Sequence, residues 1–433
     1  MLATLILLTA QAAPEPAGEP AAPPAAPAAP ARLATVERVL FTAPEEYAEA
    51  TLIPAFAPGG ARLAIAVYGV GDRSLLLVDG VPTEPRHWVR PPRFSADGKH
   101  LALVWGERVK EDREEWELIL DGKRVRQADW IGDPVFAPVG DDYAVWIGDD
   151  VRVGSDGQHT GGEYTCHWGR KKAAGYSSPP WQDPQWSADG RRLGFIGQKP
   201  SRSMAVCDGK EFGPFSWAAG FTWSPDGKTA AWTGMKDWGD SLIFAGKQTF
   251  GEEYENVGAP ALGPDDTMAY LATVRGRAAL IFNENIVPGF YDDMGTPAIS
   301  PDGKRVAVAA NLGRKEEAGG WFVDNAWMDG AEDEEAKEIE KAKFEAGSKC
   351  FLLIDGNKTG DDWWRVVRPF FSPDSRHVAA RARSAEGWHV LLGGGASPAY
   401  DEVFEPRFSA DGARLEFGAR RGRDLLWVAL AVE

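Results

Sequence analysis

The chain has 433 residues, of which 44% are hydrophobic, and a formal net charge of -17 at pH 7. This length and composition can bury a large core. The negative charge argues against nucleic acid or an anionic membrane surface as the main partner. The sequence contains three cysteines, Cys166, Cys207 and Cys350, and no Cys-x-x-Cys pair. It therefore predicts neither a disulfide framework nor a structural zinc site, and no metal or cofactor is expected.

The first 32 residues have the composition of an export signal followed by a spacer. An apolar run covers Leu2–Leu8, and Ala10-Gln11-Ala12 matches the small-residue cleavage pattern, so we interpret 1–12 as a signal peptide. Residues 13–32 are mostly Ala and Pro, which gives a semi-extended spacer without a core of its own. Later apolar runs are too short to cross a bilayer. The sequence predicts an exported protein, periplasmic or extracellular, that does not span a membrane.

The rest of the chain repeats one unit nine times. In each unit a short apolar run enters a Ser/Ala-Pro/Ala-Asp-Gly turn or a variant of it, and an alternating strand follows. A third run ends in a second turn, and a weaker fourth run closes the unit. Four short strands in about 40 residues, bounded by turn signals, predict the blade of an all-β propeller. The apolar residues just before the first turn are Phe56, Phe94, Phe136, Trp186, Trp223, Leu262, Ile299, Phe371 and Phe408.

The two ends of the repeat region predict how the ring closes. The last unit, 406–433, holds only three strands, and the segment 33–41 ahead of the first unit has no other partner. We therefore expect 33–41 to add the fourth strand of the last blade, so that 33–433 forms one closed, monomeric propeller. Because propellers usually have four to eight blades, nine units predict eight or nine blades. Units three and six are the candidates for an incomplete blade.

Three repeat stretches carry a family resemblance. The segments FTWSPDGKTAAW (221–232), AISPDGKRVAVA (298–309) and FFSPDSRHVAAR (370–381) resemble the WD40-like (PD40) repeats of TolB-type β-propellers. Related blades occur in the gating propellers of prolyl-oligopeptidase-like and tricorn proteases. The resemblance implies the fold over nearly all of 50–433. It implies neither TolB itself, whose N-terminal α/β domain has no counterpart in this sequence, nor peptidase activity, because no G-x-S-x-G elbow is present.

The interval between Ile299 and Phe371 is 72 residues long because it contains an insertion at 319–349. The insertion follows the second strand of unit seven. Its Ala-, Glu- and Lys-rich part, from Asp329 to Gly347, favours a helix of about four turns. Two interpretations stay open: a solvated helical hairpin whose aromatic residues fold back onto the propeller edge, or an arm that docks a partner.

The sequence contains no recognisable catalytic constellation. Six Asp residues recur at the same turn position, as a structural residue would and a catalytic one would not: Asp97, Asp189, Asp226, Asp302, Asp374 and Asp411. The six His are scattered, and no Ser-His-Asp order, phosphate-binding loop, zinc signature or EF-hand spacing is present. The sequence therefore predicts no catalytic residue.

Candidate binding residues lie in the connections that run from the rim of one unit to the axis of the next. Trp recurs there, either packing between blades or contacting a ligand, and polar residues that break the repeat follow it. The candidates are Trp88, Trp130, Trp181, Trp217 and Trp364, with Arg90, Asp133, Asp183, Arg368 and Glu405. We interpret the chain as a non-enzymatic protein that binds a protein or peptide partner through one ring face. The alternative is an enzyme or carbohydrate-binding module whose site is assembled from several blades at the channel mouth.

Overall fold

The structure is a computed structural model that describes residues 31–47, 50–71, 73–154, 158–179, 182–313 and 341–432. The expected signal peptide 1–12, residues 13–30 of the expected spacer, most of the insertion at 319–349 and Trp181 lie outside the described residues. Within the described ranges no helix is both long enough and apolar enough to cross a membrane.

Nine antiparallel, four-stranded sheets stand in a ring. The chain is a nine-bladed β-propeller. In each blade the first strand lies nearest the axis and the fourth forms the rim, and the strands pair in chain order. Units three and six, the candidates for an incomplete blade, each form a full blade. The predicted all-β propeller is therefore confirmed, with nine blades.

The first blades follow two N-terminal strands, β1 (Ala31–Arg32) and β2 (Thr35–Thr42), and a short 3-10 helix, Glu45–Tyr47. In blades two and three the axial strand is split into two short pieces that pair with the same second strand. From axis to rim, blade one consists of β3 (Thr51–Phe56), β4 (Leu63–Val70), β5 (Arg73–Val78) and β6 (Val81–Pro82). Blade two consists of β7 (Trp88–Val89) with β8 (Arg93–Phe94), β9 (Leu101–Lys110), β10 (Arg113–Leu120) and β11 (Lys123–Ala128). Blade three consists of β12 (Trp130–Ile131) with β13 (Val135–Phe136), β14 (Tyr143–Asp149), β17 (Glu163–Trp168) and β18 (Lys171–Tyr176). A second 3-10 helix, Pro58–Gly60, forms the first turn of blade one, and an extra hairpin of β15 (Arg152–Val153) and β16 (His159–Thr160) interrupts blade three.

Blades four to six carry no inserted hairpin. From axis to rim, blade four consists of β19 (Gln185–Trp186), β20 (Leu193–Lys199), β21 (Arg202–Cys207) and β22 (Lys210–Phe215). Blade five consists of β23 (Trp217–Trp223), β24 (Ala230–Met235), β25 (Ser241–Ala245) and β26 (Gln248–Phe250). Blade six consists of β27 (Asn256–Val257) with β28 (Ala261–Leu262), β29 (Met268–Val274), β30 (Arg277–Phe282) and β31 (Asn285–Ile286).

Blades seven to nine include the long insertion and the closure of the ring. From axis to rim, blade seven consists of β32 (Asp293–Met294) with β33 (Ala298–Ile299), β34 (Val306–Leu312), β35 (Lys349–Ile354) and β36 (Asn357–Trp363). Blade eight consists of β37 (Arg365–Phe371), β38 (Val378–Ser384), β39 (Gly387–Leu392) and β40 (Gly395–Ala396). Blade nine consists of β41 (Glu402–Phe408), β42 (Arg414–Arg421), β43 (Asp424–Ala431) and the N-terminal β2. Residues 341–345, between β34 and β35, are helical.

The N-terminal segment completes the ring. Strand β2 runs antiparallel to β43 from Thr35 opposite Leu430 to Thr42 opposite Asp424. Its Leu40 and Phe41 pack against the buried cluster between blades nine and one. Just ahead of it, β1 pairs in parallel with β40 of blade eight, so the last two residues of the expected spacer belong to a sheet.

Neighbouring blades pack closely because a small residue recurs at the second position of the second strand. It is Ala or Gly in eight of the nine blades: Ala64, Ala102, Ala144, Gly194, Ala231, Ala269, Ala307 and Ala379, all buried. Blade five lacks the Pro that the other eight blades carry two positions before the aligned apolar residue, and has Phe221 instead. A Cβ on Gly194 would lie 2.0 Å from Cζ of Phe221. The larger side chain of blade five is therefore accommodated by the glycine of blade four.

Six first turns share one hydrogen-bond network around the recurring Asp. A Ser hydroxyl donates to the Asp carboxylate at 2.5–2.7 Å. The backbone N–H two residues after the Asp donates to the same carboxylate at 3.0–3.2 Å. In blade eight, where Gly is missing, Ser375 takes the left-handed position with φ 64°. The recurring Asp therefore shapes a turn, as its repetition predicted.

These turn carboxyls should make the propeller sensitive to acid. The pKa of each of three turn carboxyls lies well below its ordinary value. At Asp97 and Asp226 the main cause is a hydrogen bond from the neighbouring lysine, and at Asp374 it is the hydrogen bond from the Ser hydroxyl. The backbone N–H bonds add to the effect at all three carboxyls. Their contribution to stability is present above the unfolded-state pKa of about 3.9 and is lost as the pH falls towards the lower folded-state values. We expect the melting temperature to fall as the pH drops from about 4 to about 2, and to fall less in a variant with all three changed to Asn. Identical pH profiles for the two proteins would contradict this account.

The two faces of the ring are connected differently. Because neighbouring strands are antiparallel, the turns between strands one and two and between strands three and four of every blade lie on one face, which we call the turn face. The loops between strands two and three, and the connections to the next blade, lie on the opposite face, which we call the loop face. The β15–β16 hairpin and the described residues between β34 and β35, Gly313 and 341–348, lie on the loop face. Length variation is therefore concentrated on that side.

Candidate functional site

A pocket of about 450 Å³ opens on the loop face between blades two and three. We call it the seam pocket. It is lined by aromatic and charged side chains from both blades: Trp88, Val89, Arg90, Arg108, Glu114, Trp116, Trp130 and His159. Its size lies within the range of pockets that hold small ligands or parts of larger ones.

Two long hairpins build the pocket wall. Strands β9 and β10 are ten and eight residues long and rise above the loop face of blade two. The β15–β16 hairpin of blade three leans against their tip, where the backbone N–H of Val153 donates to the carbonyl oxygen of Asp112 at 3.0 Å. Arg152 adds an ion pair to the carboxylate of Asp112 at 2.8 Å. This docking places His159 of β16 over the pocket floor.

The floor of the pocket is a buried carboxylate. The side chain of Glu114 is only 3% exposed, and its Oε2 accepts hydrogen bonds from Trp116 Nε1 at 2.9 Å and from His159 Nε2 at 3.0 Å. Burial alone would raise the pKa of Glu114. The hydrogen bonds from His159 and Trp116 and the positive charge of Arg108 outweigh burial and lower it. Glu114 is therefore ionised at neutral pH and held by its partners.

Two guanidinium groups lie on the indole rings of the pocket. The guanidinium of Arg90 sits between Trp116 and Trp130, with its central carbon 4.8 and 4.9 Å from the two ring centroids. Its Nε donates to the carbonyl oxygen of Ile131 at 2.6 Å. The guanidinium of Arg108 lies 5.0 Å from the ring centroid of Trp88. Stacking of this kind fixes the plane of each guanidinium and leaves its edges for hydrogen bonding.

Replacing Glu114 by Ala should loosen the β15–β16 hairpin. The change leaves the buried indole N–H of Trp116 and the ring of His159 without an acceptor, which costs about 1–3 kcal/mol. We expect faster hydrogen exchange at the backbone amides of β15 and β16 and a lower melting temperature. Glu115 lies on the same strand and is exposed, so Glu115→Ala is the matched control and should leave both unchanged. Equal exchange rates in the two variants would contradict this role of Glu114.

A second group of charged residues lies along the axial strands. Arg93 approaches Asp133 at 3.6 Å and Glu405 of blade nine at 3.6 Å, and Arg90 approaches Asp133 at 3.4 Å. The pKa of Asp183 is raised, mainly because the carboxyl is desolvated and also because Asp133 carries a like charge nearby. Arg93 and Arg90 lower the pKa, but their effect is smaller. These contacts couple blades two, three and nine, and join the axial charges to Arg90 at the seam pocket.

The structure brings together only some of the residues predicted from the sequence. Trp88, Arg90 and Trp130 meet in the seam pocket, with Trp130 8% exposed and packed into a buried cluster. Asp133, Asp183, Arg368 and Glu405 lie near the axis. Arg368 and Glu405 have positive φ values, of 49° and 36° respectively. Trp217 is 42% exposed on blade five. The ring of Trp364 contacts Phe344 of the helical segment 341–345, with centroids 6.3 Å apart.

Sequence reasoning missed five of the eight residues that line the seam pocket. Val89, Arg108, Glu114 and Trp116 lie on strands that the repeat pattern treats as ordinary, and His159 lies on the inserted β15–β16 hairpin. Arg93 is likewise absent from the predicted axial polar residues. One signal was available. The interval between Phe136 and Trp186 is 50 residues long, against 37 to 42 for most others, and the excess is the β15–β16 hairpin that carries His159.

Comparisons with known proteins reach no further than the fold. No family model and no curated protein matches the chain. Solved structures with similar folds include a eukaryotic initiation factor, at 10% identity and a TM-score of 0.43, covering 88% of this chain and 92% of that one. The Dos1 propeller has 10% identity and a TM-score of 0.41, covering 93% and 95%. TolB from Acinetobacter baumannii has 12% identity and a TM-score of 0.28, covering 75% and 79%.

At these identities and TM-scores the similarities carry no argument about function. The TolB-type resemblance expected from the repeats therefore has a counterpart only in the propeller fold, and no family model supports the PD40 repeat itself.

Proposed function

We propose that this chain is a non-enzymatic binding protein that uses the loop face of its propeller to bind a protein or peptide. One observation carries the proposal: on the described residues, the seam pocket and three exposed aromatic side chains lie on the same face. Trp217, Trp238 and Phe290 are 42%, 75% and 44% exposed. They lie at the start of β23, in the β24–β25 loop and in the connection to blade seven, all on the loop face. Exposed aromatic residues on a rigid scaffold are typical of protein-binding surfaces.

The turn face offers less to a partner because its charged groups satisfy one another. Arg62 pairs with Asp79 at 3.0 Å, and Arg305 pairs with Asp355 at 2.8 Å. Residues at equivalent turn positions repeat from blade to blade, as a structural role requires. We therefore assign the structural task to the turn face and recognition to the loop face.

The seam pocket does not favour the carbohydrate alternative. Sugar rings bind by stacking on free aromatic faces. Arg90 lies between two of the pocket indoles and Arg108 lies on the third, so these faces are already covered.

Selection from a displayed peptide library tests the proposal. We expect peptides enriched on the wild-type protein to lose binding when Trp217 and Trp238 are both changed to Ala, or when the seam pocket is altered. The matched control changes Val81 and Val139, which are 67% and 63% exposed on the turn face, to Ser and should retain binding. Peptides that depend on the turn-face residues, or on neither face, would overturn the proposal.

We also propose that the chain is exported, to the periplasm or the cell exterior. The apolar run Leu2–Leu8 and the Ala10-Gln11-Ala12 site support export. A fusion of 1–32 to a phosphatase that is active only after export should give activity, and a charged substitution at Leu5 should abolish it. Activity that is absent in the first fusion, or retained in the second, would contradict export through this segment.

A further inference from the structure

We propose that the seam pocket is an anion-binding site that takes a single carboxylate of an acidic peptide. This inference deepens the proposed function by naming the ligand chemistry of one site on the loop face. Three observations carry it: two guanidinium groups at the pocket, a single buried carboxylate whose Oε2 already accepts two hydrogen bonds, and an arginine stacked on each of the three indoles.

The guanidinium of Arg108 is the accessible part of the site. Its side chain is 46% exposed, and the carboxylate oxygen nearest to it, Oε1 of Glu114, is 4.0 Å away, beyond hydrogen-bond distance. Stacking on Trp88 holds the group at the pocket. Because a guanidinium presents a planar fork of donors, a ligand carboxylate can bind its edge in two parallel hydrogen bonds.

The charges of the pocket leave room for one negative group. Its lining carries two guanidiniums, Arg90 and Arg108, against one carboxylate, Glu114. Glu114 is buried beneath them; its Oε2 accepts from Trp116 and His159, and its Oε1 lies 4.0 Å from Arg108. Asp133 faces Arg90 from the axial side and is shared with Arg93. A monoanion therefore complements the pocket, whereas a cation would meet two arginines.

Carboxylate fits this balance better than phosphate. A phosphate monoester carries close to two charges at neutral pH and is usually met by several arginines or by a nest of backbone N–H groups. The pocket lining supplies two arginines and one competing carboxylate. The ligand carboxylate can come from an Asp or Glu side chain or from a peptide C-terminus, and the two sources share this chemistry.

Titration with three short peptides tests the assignment. The probes are acetyl-Ala-Glu-Ala-amide, its Gln counterpart, and acetyl-Ala-Ala-Ala with a free C-terminus, followed by the indole N–H signals of Trp88 and Trp116 in ¹⁵N NMR. We expect the Glu peptide or the free C-terminus to shift these signals and the Gln peptide not to. Which of the two carboxylate probes binds more tightly identifies the source. Shifts of equal size with the Glu and Gln peptides, or no shift with either carboxylate probe, would overturn the proposal.

A matched pair of variants locates the site. Arg108→Gln should weaken carboxylate binding about tenfold, or 1.4 kcal/mol. Arg126→Gln, at an exposed position of the rim strand of the same blade, should change it by less than about twofold. Unchanged affinity in Arg108→Gln would overturn the assignment, as would inorganic phosphate that binds more tightly than either carboxylate probe. If library peptides still depended on Trp217 and Trp238 but not on Arg108, the proposed function would stand and this inference would fall.

Discussion

A chain lacking residues 31–42 should melt on the order of 10 °C below a chain lacking only residues 13–30. The deletion of 31–42 removes β1 and β2, and with them seven paired positions on β43 and the packing of Leu40 and Phe41. At about 1 kcal/mol of net stabilisation per backbone hydrogen bond, together with the apolar burial, the loss is on the order of 5 kcal/mol. That is a large fraction of the stability of an ordinary domain. The measurement is thermal unfolding of both proteins without the signal segment.

Side-chain contacts of β2 add to this expected loss. The carboxylate of Glu37 accepts from the buried Tyr400 hydroxyl at 2.7 Å and from Arg421 at 2.8 and 3.0 Å. The hydrogen bond from Arg421 is the main reason that the pKa of Glu37 lies below its ordinary value. Removal of β2 also leaves an unpaired edge on β43, which favours aggregation. We therefore expect more light scattering on heating from the protein that lacks residues 31–42.

Point variants separate the pairing of β2 from chain length. Phe41→Ser removes a ring that packs between blades nine and one, and it should destabilise the protein. Val36→Ser changes a side chain of the same strand that is 75% exposed and should have little effect. Equal melting temperatures for the two deletions, or for the two point variants, would contradict the role of β2 in closing the ring.

Gly194→Ala should cost about 3 kcal/mol, because the added methyl group has no space at the seam between blades four and five. Its Cβ would lie 2.0 Å from Cζ and 2.1 Å from Cε1 of Phe221. Phe221 is 2% exposed and stacks on Trp232 with ring centroids 6.2 Å apart, so it has little freedom to move aside. The effect is measured as the shift of the denaturant midpoint.

Two controls test whether the cost of Gly194→Ala comes from its contact with Phe221. Gly295→Ala adds the same methyl group where the nearest atom is Cβ of Ala309 at 3.8 Å, and it should be close to neutral. Phe221→Ala alone should cost about 3–5 kcal/mol through the cavity that it leaves. Combined with Gly194→Ala, it should cost clearly less than the sum of the two single changes. Strict additivity would mean that the two residues do not share the contact described here.

The repeat carries most of the information about the fold. Asp97 and its equivalents recur because each caps the same turn, and the recurrence alone distinguishes them from catalytic residues. The role expected for 33–41 followed from counting strands, since an unpaired strand and a three-stranded blade stand at the two ends of one ring. The sequence leaves the blade number at eight or nine because propellers usually have four to eight blades and units three and six depart from the repeat. Hydrogen bonding nevertheless completes both of these sheets.

The seam pocket could be predicted only in part because its residues come from non-equivalent parts of two blades. Trp88, Arg90 and Trp130 stand in the inter-blade connection, where departures from the repeat are visible in the sequence. Glu114 and His159 are 45 residues apart and meet only because the β15–β16 hairpin leans on blade two. No spacing rule connects an inserted hairpin to the strand on which it docks, so this half of the site required the structure.

The pairing of β2 with β43 also has a mechanical consequence. Every seam of the ring is crossed by the covalent chain, so the ring can open without breaking the chain only inside blade nine, where β2 is held by hydrogen bonds and side-chain packing. Thr35 and Leu430 are opposite each other at the same end of this antiparallel pair. Tension applied between them would load one hydrogen bond after another and peel the strands apart, whereas a shearing load would strain all of them together. Resistance to force at this joint should therefore depend on direction, lower for peeling than for shearing.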